Sequence, residues 1–175
     1  FVIATGGQRT DQIAREKWSS FDRDAKTFRL IDAKGKGGVR REHLVPLSER
    51  ALEILGEVEL INGCYEWPWT TRGKKPIATS SPVHAVVDWL DSKNGKLDGV
   101  QIPHFTPRDL RRTCAQLMQH HGVEDRLSDL LQSHGQIGVV GQHYRNNSDA
   151  YLPEKRKALA EFDAILEKIL AKSVD

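Results

Sequence analysis

Long apolar runs are missing from this chain of 175 residues. Nothing approaches the ~18 consecutive apolar residues of a membrane helix, and no secretory leader is visible, which disfavours a membrane or exported role. Cysteine is scarce: Cys64 and Cys114 lie far apart and form no CxxC pair. Cys114 falls on an apolar helical stripe, so it reads as a reduced core thiol of a cytoplasmic protein. Acidic residues are scattered, so nothing resembles a metal cage, and no cofactor is expected. A strong net charge is also lacking, because 26 Lys and Arg against 24 Asp and Glu leave only +2. Nucleic-acid binding therefore requires the basic groups to gather on one face. There are no repeats, no low-complexity tracts and no initiator methionine. Phe1-Val2-Ile3-Ala4-Thr5 reads as the end of an apolar helix, so the expectation is a fragment that lacks its N-terminal part. The length suits one domain with its own core.

What is present begins with Thr106-Pro107-Arg108-Asp109-Leu110-Arg111-Arg112-Thr113. Thr106 can cap a helix, Pro107 suits its first position, and Asp109 places an acid in the first turn. Leu110, Cys114, Leu117, Met118 and His121 then recur at helical spacing as a stripe for the core. At ~100° per residue, Arg108 and Arg112 fall opposite that stripe and Arg111 at its edge. Arg108 and Arg111, three apart, can grip one oxyanion between two planar forks. A phosphate fits best.

Around this helix the pattern is mostly helical. Thr10 is expected to cap a short helix to about residue 17, and residues 18–21, 27–32 and 42–46 read as strands, with a turn at 34–38. Ser48 caps a helix that turns Ala51, Leu52 and Leu55 inward. Residues 61–76 are irregular, and Trp67-Pro68-Trp69 there reads as packing rather than base stacking. Further helices are expected at about 82–90, 107–121, 123–132 and 136–145. A last one starts at Pro153, with Leu159, Phe162, Ile165, Leu166, Ile169 and Leu170 as its stripe. The fold class is mainly α with a small antiparallel three-stranded β-sheet (α+β).

Four further pieces join the arginine helix: Arg9 after Gly6-Gly7, Lys34 and Lys36 at a hairpin tip, His134 in Leu131-Gln132-Ser133-His134-Gly135, and Tyr144 in Gln142-His143-Tyr144-Arg145. This order resembles the catalytic domain of the tyrosine recombinases, the phage-type integrases, over nearly the whole chain. The tail Tyr151-Leu152-Pro153-Glu154-Lys155-Arg156 is similar to prophage integrases like that of satellite phage P4.

The resemblance implies a DNA transesterification without ATP or other cofactors. Arg9, Arg108 and Arg111 would neutralise the scissile phosphate, and His134 would hydrogen-bond the phosphate or the attacking group. Tyr144 would be the nucleophile, with Tyr151 the competing candidate. Lys34 would be the general acid, favoured over Lys36 because it directly follows a strand. Lys36, Arg40, Arg41 and Arg112 are candidates for DNA contacts. Two positions depart from the family: Arg108 stands where a histidine is usual, and an arginine cannot act as a base; Ser133 replaces the usual glycine and is expected to be tolerated. The implied partners are double-stranded DNA core sites and a homotetramer on DNA, possible as a monomer when free, with residues 153–172 docking in cis or in trans. N-terminal DNA-binding domains would precede residues 1–175. A type IB topoisomerase and a degenerate integrase-like DNA-binding protein are the alternatives.

Overall fold

Alternating apolar residues in two strands build one side of the molecule. The computed structural model describes residues 1–32, 41–134 and 151–172. Helix α1 (Thr10–Ile13) precedes β1 (Phe21–Asp22), β2 (Thr27–Asp32) and β3 (Arg41–Pro46), an antiparallel sheet in that order. Register pairs Phe28 with Val45 and Leu30 with His43, so these four share one buried face. Phe21 stacks on Phe28 at 4.6 Å, and Phe1 meets Phe28 edge-on at 5.8 Å. Helix α2 (Glu49–Asn62) closes this cluster with Ala51 and Leu55; the Ser48 hydroxyl caps it, accepting the Ala51 N–H at 3.2 Å.

Helices build the other side. After α3 (Ser81–Asp91) and a short hairpin, β4 (Lys96–Leu97) and β5 (Val100–Gln101), come α4 (Pro107–His120), α5 (Asp125–Gln132) and α6 (Leu152–Lys172). Cys114, Met118, Leu127, Leu131, Phe162 and Ile165 form their common core. Helix α6 packs against α4, α5 and β3 of its own chain. Among the described residues no helix is long and apolar enough to cross a membrane.

The expected strands at 27–32 and 42–46 and the helices from 82, 107, 123 and 153 agree with this to within two residues. Three expectations are corrected. Residues 18–20 form a 3₁₀ turn, closed by the Ser20 N–H on the Lys17 carbonyl at 3.0 Å, and leave β1 only two residues. Helix α1 is capped by Arg9 rather than Thr10, because the Arg9 carbonyl already accepts from Gln12 and Ile13, and it ends at Ile13. On α4 the buried face is Pro107, Arg111, Cys114 and Met118, while His121 is exposed. Arg111 thus lies in the buried face, because that face meets α5 and the Gly6-Gly7 turn. Trp69 packs on Phe1 at 5.5 Å, and the Lys17 ammonium sits 5.6 Å from the Trp67 ring. The expected turn at 34–38 and helix at 136–145 fall outside the described residues.

Candidate active site

The site starts from a turn only glycine makes easily. Gly6 and Gly7 take φ of 72° and 89°, in the left-handed region. A Cβ on Gly7 would stand 2.8 Å from Gln132 Nε2 and 3.2 Å from the Arg111 Cα, so this backbone lies directly on α4. The Thr5 hydroxyl holds the preceding turn by donating to the Phe1 carbonyl at 3.0 Å. Gln8, buried, donates its amide to the Thr5 and Leu131 carbonyls at 2.9 Å each. The next residue is Arg9.

Arg111 is only 8 % exposed, although it carries a permanent charge. Burial is tolerable because backbone dipoles surround the guanidinium: Nη1 donates to the Gly7 carbonyl at 2.7 Å, and Nη2 donates to the Gln132 carbonyl. Gln132 returns the contact, its amide donating to the Gly6 and Arg111 carbonyls at 2.9 and 3.1 Å. Three segments distant in sequence are thereby locked together. A guanidinium has five N–H donors, so two carbonyls do not exhaust it.

Arg9, Arg108, Arg111 and His134 line one cleft of about 460 Å³, with Gln8, Thr10, Asp11 and Pro107. Arg108 is exposed, one turn before buried Arg111. The start of α4 is fixed by Asp109, whose carboxylate accepts the Thr106 N–H at 2.9 Å and hydroxyl at 2.7 Å. Those two bonds hold the Asp109 carboxyl below its usual pKa. His134 follows Ser133, which takes φ of 54° at the end of α5, a conformation that favours glycine. The His134 Nδ1 lies 3.8 Å from the Asp129 carboxylate. A second cleft of similar size, beside α6, mixes Lys26, Glu49, Arg156 and Asp163 and offers no set of one charge.

Four sequence candidates thus converge: Arg9, Arg108, Arg111 and His134. Arg112 does not join them; it is exposed and pairs with Asp109 at 3.3 Å. Lys34, Lys36, Arg40 and Tyr144 lie outside the described residues, and of Arg41 the structure describes only its backbone place, opposite Asp32. Tyr151 has the Arg126 guanidinium over its ring at 5.8 Å. Sequence reasoning missed Gln8 and Gln132, whose amides tie the site together. Their closeness in sequence to Arg9 and His134 was the available signal. Among the described residues no group of three His, Cys, Asp or Glu could hold a metal ion.

Residues 1–150 match the phage integrase family. The chain belongs to that family. It is 26% identical over 148 residues to the prophage integrase IntA of Escherichia coli (strain K12), across 85% of this chain but 33% of IntA. In structure this integrase-family chain is similar to XerA recombinase, with a TM-score of 0.60 and 21% identity over 89% of this chain and 54% of XerA. It is similar also to lambda integrase, solved as a tetramer bound to a Holliday junction, with a TM-score of 0.54 and 22% identity over 77% and 38% of the two chains. The fold is that of tyrosine recombinase catalytic domains. The chain spans about a third of IntA's length and about half of XerA's.

Proposed function

We propose that this chain is the C-terminal catalytic domain of a site-specific DNA integrase, acting in integration or excision of a prophage or genomic island. The observation that carries the reading is the convergence of Arg9, Arg108, Arg111 and His134 on one cleft. In the reaction the Tyr144 oxygen attacks a backbone phosphate, forming a 3′-phosphotyrosyl bond and expelling a 5′-hydroxyl. A free 5′-hydroxyl later attacks that bond and releases the tyrosine. Bond energy is kept in the covalent link, so ATP has no part to play.

Negative charge grows on the phosphate oxygens as the tyrosine attacks. Arg111, held rigid by two carbonyls, offers donors that need no reorganisation, the arrangement that makes electrostatic stabilisation effective. Arg9 and Arg108 add charge from the cleft's rim, and Arg108 acts as phosphate ligand only, because it stays protonated. Lys34 supplies the proton for the departing 5′-oxygen, with Lys36, two positions on in sequence, as the other candidate. The partner is double-stranded DNA at core sites, bound by a tetramer, with Lys36, Arg40, Arg41 and Arg112 contacting the backbone.

Nicked core-site DNA incubated with the chain and run on a denaturing gel tests this. A covalent adduct should form, vanish in Tyr144→Phe and persist in Tyr151→Phe. No adduct on core DNA that the chain binds would refute the enzyme reading. Lys34→Ala should be rescued by a 5′-phosphorothiolate leaving group; rescue of Lys36→Ala instead would move the acid to Lys36.

A further inference from the structure

Among the described residues, two long cationic side chains are buried, Arg111 and Lys155. Arg111 serves the cleft; Lys155, on α6, does not line it. Burying an ammonium is expensive unless its hydrogen bonds are placed well. Lys155 Nζ donates to the Leu44 carbonyl at 2.7 Å and lies 3.3 Å from Nδ1 of buried His43, both on β3. An ammonium only donates, so Nδ1 is bare and the imidazole proton sits on Nε2. Nε2 then donates to the Leu131 carbonyl, 3.1 Å away.

That carbonyl is the same one that accepts the Gln8 amide at 2.9 Å. The residue after it, Gln132, gives its carbonyl to Arg111, and two further on stands His134 in the cleft. One carbonyl at the end of α5 therefore joins α6, β3 and the segment that leads into Arg9. We propose that Lys155 is a positioning residue for strand transfer: it holds His43 against the Leu131 carbonyl and so sets the α5 terminus that presents Gln132 to Arg111 and His134 to the phosphate. This rests on the recombinase reading of the same cleft. Docking of α6 is in this way coupled to assembly of the cationic cradle about the α5 end, because both draw on the same hydrogen-bonded chain.

The test measures adduct formation on nicked core DNA at saturating concentration, together with DNA affinity. Lys155→Met should slow the adduct step by about 10–100-fold, the scale of a small misplacement of catalytic groups, with affinity changed less than about 3-fold. His43→Phe should do the same. His43→Gln, whose amide can donate to Leu131 and accept from Lys155, should recover most of the rate. The double variant Lys155→Met/His43→Phe should be no slower than either single one, since both break one relay. Unchanged rates in Lys155→Met, or losses that multiply in the double variant, would overturn the proposal. If Lys155→Met does not fold, the contrast between His43→Phe and His43→Gln decides in the same sense. Should the unaltered chain form no adduct, the recombinase reading fails by itself. The relay is then judged by NMR, where Lys155→Met must shift the Arg111 Nε–H signal, and an unshifted signal refutes it.

Discussion

The two apolar clusters and the seam between them are built on opposite terms. The sheet-side cluster is rich in rings, with Phe28 inside and Phe1, Phe21 and Trp69 against it; the helix-side cluster is mostly aliphatic, around Met118, Leu131 and Phe162. Either would tolerate another apolar side chain of similar volume. Where they meet, Gln8, His43, Arg111, Gln132 and Lys155 are buried and hydrogen-bonded. Those groups have direction, and a replacement must match donor to acceptor. The clusters thus supply stability, and the seam supplies the geometry of the cleft proposed to take a phosphate.

Breaking the seam at its centre should have the largest effect. Arg111→Ala removes a charged donor from two buried carbonyls, at an expected cost of about 3–5 kcal/mol in denaturant melts. Adduct formation should fall by at least ~10²–10³, the typical loss for one preorganised donor. A cluster substitution should behave differently. Leu55→Ala is expected to cost about 2–5 kcal/mol, yet leave the adduct rate per folded molecule within about twofold. A large rate loss there would dissolve the distinction between clusters and seam.

Acid sharpens the comparison further. Burial and then the Lys155 charge push the His43 imidazole well below its ordinary pKa. The unfolded chain, with a histidine near 6.5, takes up a proton that the folded chain refuses. Stability from this group is complete above about pH 6.5 and declines below it, by up to ~1.4 kcal/mol per pH unit. Thermal melts from pH 7.5 to 5 should show that decline, and His43→Gln should flatten it. At Ser133, with φ of 54°, Ser133→Gly should raise stability by about 0.5–1 kcal/mol, since the backbone conformation suits glycine. The smallest effect concerns Cys114, whose thiol is pushed up to about 12 by burial in the helix-side cluster. A thiol reagent at pH 8 should label exposed Cys64 in the native chain and reach Cys114 only after unfolding.

Local rules made much of this readable before any fold was in view. Thr106, Pro107 and Asp109 mark the start of α4 through capping chemistry, and alternation in residues 27–32 marks β2, because both signals depend on neighbours in sequence. Arg111 was recognisable as a candidate phosphate ligand from its place in an ordered set of boxes, but not as a buried residue. A helical wheel drawn from Leu110, Leu117 and His121 rotates the core face, and contact with Gly7 corrects it.

The sequence by itself thus determined the mainly helical fold class, the small sheet and the membership of a recombinase-like set of residues, since periodicity, caps and motif order are local properties. Tertiary structure decided which of those residues share a cleft and what holds them there. Gln8 meets Leu131 across 123 positions, and Lys155 meets His43 across 112. No local pattern signals such a bond, because a buried polar group declares its partner only when the chain has closed around it.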